Sequence, residues 1–194
     1  MEQIFLGFYL GVMSSILLYN FQWFINTKEK SYLYYVLMHF SLVLMYLHTS
    51  NIFITSALVT GVSALVLSFL FIKEFLNLNI YYKNTDKLFR QFAIGIFVFF
   101  FLLYITNNIN LISKVPFFLL FVPFLFVAYF VYKKGLNIAK YFLVAWGLYI
   151  VCLGFAYLNK NFEFINVNKN FIPQVGNLIE TLLLSFALSL KTKE

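Results

Sequence analysis

Long apolar runs alternate along this chain with short polar breaks. The runs fall at roughly 3–26, 31–49, 52–76, 90–106, 115–132, 138–158 and 171–190. Each is long enough to cross a hydrocarbon layer of about 30 Å as a helix rising about 1.5 Å per residue. The runs are continuously apolar. Strands of a membrane barrel alternate with period two over about 10 residues, so a barrel does not fit. The pattern predicts an all-α polytopic membrane protein: one domain over 1–194, a bundle of seven transmembrane helices.

The breaks differ in character. "NTKEK" and "HTSN" are short and make the first three helices sequential neighbours. "NLNIYYKNTDKLFRQF" mixes aromatic and basic residues, as an interfacial segment does. "NKNFEFINVNKN" is the longest polar connection, and it leaves no room for an extramembrane domain. No internal repeat marks the inverted halves of many transporters.

Composition agrees with this pattern. The chain is 62% hydrophobic and 11% charged, against about 45–50% and about 25% in soluble domains. The start, "MEQIFLGFYL", has no basic n-region and no small-residue cleavage site follows, so the first run is expected to stay in the membrane. The net charge of +7 could suggest nucleic acid, but the placement of the bases argues for topology. With the N-terminus outside, the inner breaks hold Lys28, Lys30, Lys73, Lys83, Lys87, Arg90, Lys133, Lys134, Lys140, Lys191 and Lys193. The outer breaks hold only Lys114, Lys160 and Lys169. The positive-inside rule then predicts seven spans with the C-terminus cytoplasmic, and no nucleic-acid partner.

Candidate chemistry is sparse. Cys152 is the single cysteine and there are two histidines, so neither an internal disulfide nor a zinc cluster is expected, and no cofactor. No nucleophile–base or metal constellation appears, so no enzymatic activity is expected. A retinal protein needs a lysine in the middle of the last helix, and none occurs before Lys191. Pro173–Gln174 matches the PQ pair of PQ-loop transporters, which carry it twice; here it occurs once. Pro116 and Pro123 are ordinary in membrane helices.

Two stripes stand out. In the first run Gly7, Gly11 and Ser15 recur every four residues. Small residues let helix backbones approach closely, so this face is expected to pack within the bundle, with a homodimer face as the alternative. Ser56, Thr60 and Ala64 repeat the theme in the third run. In the last run Gln174, Asn177, Thr181 and Ser185 fall in a narrow arc at 100° per residue, with Glu180 on its flank. Each needs a partner where water is absent, so the stripe faces the bundle or a wet cavity. Glu180 lies roughly 16 Å from Lys191 along the helix, near mid-membrane, where an acid is paired or protonated. His39 lies roughly 14 Å from Lys30, at matching depth. A direct Glu180–His39 contact is one arrangement. The other is a protonated Glu180 bonded to a hydroxyl, an amide or a backbone carbonyl. Trp23 and Trp146 fit an interfacial aromatic belt.

The stretches "GFYLGVMSSILLYNFQWFINTKEKSYLYYVL", "FIKEFLNL", "AKYFLVAWGLYI" and "QVGNLIETLLLSFALSLK", in this order and spacing, resemble the membrane region of the bacterial seven-transmembrane receptors with diverse intracellular signalling modules. The resemblance covers nearly the whole chain and singles out Tyr19, Asn20, Trp146, Asn177 and Glu180. It implies a signal-transducing sensor in the lipid bilayer of the bacterial inner membrane. Family members usually carry a periplasmic sensory domain before the first helix and a cytoplasmic signalling module after the last. This sequence has neither. It is expected to act with separate partners or to be the membrane portion of a longer receptor. The alternative function is a small transporter or permease.

Overall fold

The computed structural model describes residues 2–49, 57–81, 121–162 and 170–192, with isolated positions between 87 and 98. Among them the helices are α1 (Glu2–Thr27), α2 (Lys30–Thr49), α3 (Ala57–Phe75), the short α4 (Leu78–Tyr81), α5 (Val122–Lys133), α6 (Ala139–Phe162) and α7 (Phe171–Lys191). No strand occurs among the described residues. The expected run at 90–106 lies largely outside them; Arg90, Gln91, Ile94, Gly95 and Val98 are helical. The expected interfacial segment is described mainly at α4, and Ser56 also lies outside the described residues.

Among the described residues three helices are long and apolar enough to cross a membrane: Gln3–Thr27, Ala139–Phe162 and Phe171–Lys191. Their outward faces carry large apolar side chains such as Ile4, Leu18, Val151, Leu182 and Phe186. A soluble surface rarely gathers so many. Hydrocarbon accepts them without cost, and the helical ladder satisfies the backbone internally.

The connections explain the directions of the helices. Lys28 (φ 58°) closes α1 in a left-handed conformation, and its amide donates to Phe24 O at 2.8 Å. Asn77 (φ 48°) plays the corresponding role after α3. Gly135 (φ 103°) turns the chain between α5 and α6, where Leu136 N reaches Val131 O at 3.4 Å. A backbone at that φ excludes most side chains, which is the reason for glycine there. α1 and α7 run the same way: Phe5 meets Phe171, and further along Asn20 meets Ser185. α2 and α6 run against α7, since Tyr32 reaches Leu188 O while His39 reaches Glu180, and Tyr141 lies against Phe186 while Cys152 approaches Gly176.

Two apolar clusters hold the bundle. The larger gathers α2, α3, α5, α6 and α7 around Tyr35, Phe71, Phe124, Phe142 and Leu184. The smaller joins α1, α2 and α3 through Tyr9, Met13, Leu42, Tyr46 and Ala64. Trp146 corrects an expectation. It is not an interfacial belt residue: it is 2% exposed, stacked on Phe142 at 5.1 Å and edge-on to Phe121 and Phe124, both at 5.3 Å. Aromatic packing with three rings outweighs the attraction of its N–H for the headgroup layer. Trp23 is stacked on Tyr32 at 6.2 Å beside the α1–α2 turn.

The α1 stripe is a second correction. Gly7, Gly11 and Ser15 are exposed, and a Cβ added at either glycine meets nothing within 4 Å. Among the described residues nothing packs against them. The opposite face, with Tyr9, Met13 and Asn20, supplies larger side chains and polar groups that need partners, and it turns inward instead. In α3 the small residues do face inward: Thr60 and Ala64 are buried, and Gly61 lies against Met45.

Candidate functional site

α7 is amphipathic in an inverted sense. Its mid-helix polar residues are buried, above Leu184 and Leu188 on the same inward side, and other large apolar residues face outward. Gln174, Asn177, Glu180 and Thr181 are each no more than 4% exposed, while Leu182 and Phe186 are exposed. A membrane helix places its hydrogen-bonding groups against other helices for lack of water. The sequence periodicity alone fixes that α7 has such a face; the neighbours decide what it meets.

Glu180 meets His39. Glu180 Oε2 lies 3.0 Å from His39 Nε2, with side-chain exposures of 1% and 0%. Asn177 Nδ2 donates to the same oxygen at 3.2 Å, and Tyr9 Oη donates to Asn177 Oδ1 at 2.8 Å. His39 Nδ1 lies 3.0 Å from Tyr35 O. Tyr35 Oη donates to Thr181 O at 2.6 Å, and Thr181 Oγ1 donates to Asn177 O at 2.6 Å. One turn further on, Asn20 Nδ2 donates to Ser185 Oγ at 2.8 Å. The network therefore fastens α7 to α1 and α2 at mid-helix. Of the two arrangements considered for Glu180, the direct histidine contact is present, with the Asn177 amide as a second hydrogen-bond partner of the same oxygen.

A backbone carbonyl only accepts, so the proton on His39 Nδ1 points at Tyr35 O. Nε2 then has two states. It carries a proton and donates to a carboxylate, or it is bare and accepts from a carboxylic acid. In either of these arrangements one proton would lie between Nε2 and Oε2, and the pair would carry no net charge. This is the condition for keeping an acid and a base in a dry interior. Glu180 Oε1 is buried without a hydrogen-bond partner. The carboxyl group is thus held by one oxygen only, and the pair is not rigidly chelated.

Other candidates lie apart. Tyr19 is 47% exposed and edges Trp23. Trp146 belongs to the aromatic core. Gln174 is buried in the first turns of α7. Sequence reasoning missed the tyrosines. Tyr32, Tyr35, His39 and Tyr46 recur at helical spacing along one face of α2, and a buried tyrosine needs a partner for its hydroxyl. That spacing was the available signal. Tyr46 Oη lies 3.4 Å from Tyr149 Oη of α6. Also missed was the close approach of α6 and α7, where a Cβ on Gly176 would sit 2.6 Å from Cys152 Cβ.

The family model described as 7TM diverse intracellular signalling matches residues 2–191. The chain belongs to this family. It is accordingly a membrane signalling receptor domain, and the resemblance carried by its helix sequences is shown over nearly the whole chain. The family association is with intracellular signalling modules. No curated protein and no solved structure matches the chain. In this 7TM signalling domain the network around Glu180 is the most extensive buried polar feature among the described residues.

Proposed function

We propose that this domain relays a signal across the bacterial inner membrane by a movement of α7, with no catalysis of its own. The observation that carries the proposal is the attachment of α7. Its buried polar face is bonded to α1 and α2, its backbone lies against α6, and its central link is the buried Glu180–His39 contact. A packed interface of this kind has discrete arrangements, and helix shifts of about 1–2 Å are enough to switch between them. The signal has to bind the two arrangements differently, or it shifts nothing.

The proposed topology has seven spans, N-terminus outside and C-terminus cytoplasmic. Two features support it. The basic residues gather in alternate breaks. α3 and α5 also run in the same direction, since Phe71 and Phe75 near the end of α3 meet Phe142 just after the α5–α6 turn, and Lys134 Nζ donates to Tyr81 O. Alternating spans then call for an odd number of crossings between α3 and α5, and the apolar run of the sequence at 90–106 has the length for one. The proposed partners are a cytoplasmic output module, attached or separate, and a periplasmic sensory partner, with the domain acting as a homodimer.

The test is a series of chimeras joining a dimeric output module to the end of α7 through helical linkers of increasing length. Output should oscillate with a period near the 3.6-residue turn. Output indifferent to linker length, or a periplasmic reporter signal from a C-terminal fusion, contradicts the proposal. Solute flux through the domain in proteoliposomes without any linker dependence identifies a transporter instead.

A further inference from the structure

We propose that Lys191 is a latch, holding the last turn of α7 to the α1–α2 turn and to the end of α3, and that the relay proceeds by opening it. The inference rests on the α7 relay proposed above and names its regulation. Lys191 is the final residue of α7. Its Nζ lies 2.7 Å from Glu29 Oε1, donates to Glu74 O at 2.7 Å, and sits 5.9 Å from the centroid of the Phe75 ring. One ammonium group thus gathers three kinds of acceptor from two other parts of the bundle: a carboxylate, a backbone carbonyl and an aromatic face. Ser31 Oγ donates to the same Glu29 oxygen at 2.8 Å and fixes its direction.

The acceptors are placed by unusual backbone. Lys28 and Asn77 are the non-glycine residues with positive φ among the described residues. Lys28 immediately precedes Glu29. Asn77 ends the segment that holds Glu74 and Phe75. A left-handed conformation is disfavoured for residues with a Cβ, and it persists where surrounding contacts hold it. Both such positions in the described chain serve turns that converge on Lys191.

The latch differs from the mid-depth pair in its access to water. Lys191 and Glu29 side chains are 12% and 29% exposed, against 0% and 1% for His39 and Glu180. A partly hydrated ion pair exchanges partners readily, because water replaces what is lost. A displacement of α7 by about 1–2 Å takes a 2.7 Å contact beyond hydrogen-bonding reach. The helix end is then free to rotate or tilt, and it is this end that an output module would follow.

The test uses the full chain in lipid nanodiscs, with spin labels at Ile80 and Ser189 in a Cys152→Ala background. Glu29→Gln and Lys191→Met should broaden the label–label distance distribution, and Lys191→Arg should preserve it. In the chimera, Glu29→Gln and Lys191→Met should each change basal output at least threefold in the same direction, and Lys191→Arg should leave it unchanged. Glu29→Gln is nearly isosteric and lies at the edge of the bundle, so it reports on the latch even if Lys191→Met fails to fold. Unchanged distances in Glu29→Gln overturn the latch, and if output still oscillates with linker length the relay survives without it. Altered distances with unaltered output also overturn the proposal, leaving only a structural clamp. Altered distances together with a flat linker series refute the relay itself, and with it the latch as its regulator.

Discussion

α1 and α7 run side by side in the same direction, and each carries a stripe of small or polar residues spaced about one turn apart. The stripes face opposite ways. Asn177 and Glu180 of α7 are 0% and 1% exposed, whereas Gly7, Gly11 and Ser15 of α1 look outward. The difference lies in what each group can satisfy alone. Ser15 Oγ donates to Gly11 O within its own helix at 2.9 Å, and a glycine has no side chain to satisfy. Nothing compels that face inward. An amide and a carboxyl at mid-depth cannot be satisfied by one helix, and they reach across to Tyr9 and His39. Polarity on a membrane helix therefore directs packing only where the demand for hydrogen bonds exceeds what the helix itself supplies.

The largest effect expected from breaking this contrast is at Gly176. Its missing Cβ is what lets α6 and α7 touch, with Cys152 Cβ at 2.6 Å from the position a Cβ would take. Gly176→Ala should destabilise the bundle by about 1–3 kcal/mol through overpacking, measured by steric-trap or denaturant unfolding in detergent. Adding Cys152→Gly should restore most of the loss.

Glu180→Leu comes next. It leaves His39 Nε2 and Asn177 Nδ2 without their shared acceptor and should cost about 1–2 kcal/mol, the range of an interhelical polar contact in membrane. A double-mutant cycle with His39→Leu isolates the pair. Additive losses would show that each side chain acts through other neighbours.

A smaller effect belongs to Tyr9→Phe, which removes only the donor to Asn177 Oδ1. The expected loss is about 0.6 kcal/mol, the average for such contacts. The one effect of opposite sign belongs to the α1 stripe. Gly7→Ala and Gly11→Ala meet open space and should be neutral or stabilise α1 by up to about 1 kcal/mol. A loss of self-association in these variants would show that two copies meet on this face.

The sequence made some of this architecture readable and hid the rest, for physical reasons. The helix ends were readable where basic residues or turn residues punctuate the runs: 171–190 became Phe171–Lys191, and 138–158 became Ala139–Phe162, extended through "NKNF". Depth was readable as well. Counting the helical rise from Lys30 and from Lys191 placed His39 and Glu180 at the same level, where they meet at 3.0 Å. Rotation was not. Periodicity assigns residues to a face but does not say which way the face points, so Gly7, Gly11 and Ser15 were expected inside. Trp146 was assigned by residue type to the interface, although its partner rings come from α5 and from the preceding turn of α6. The tyrosines of α2 are hidden in a run whose average hydropathy is apolar, and an average does not register the single hydroxyl that dictates a bond.

The central claim is that the Glu180 network is a switch and not only a staple. Its most direct test is the output of the chimera carrying Glu180→Gln, measured together with its unfolding free energy. Both partners meet Oε2 of the native carboxyl, so a glutamine amide can keep one of them, by accepting from Asn177 Nδ2 or by donating to a neutral His39 Nε2, but it cannot take up a proton shared by the pair. The account predicts a stability loss of no more than about 1.5 kcal/mol, the size of one hydrogen bond, and an output that no longer responds to the signal. A Glu180→Gln domain that folds and signals normally would contradict the account.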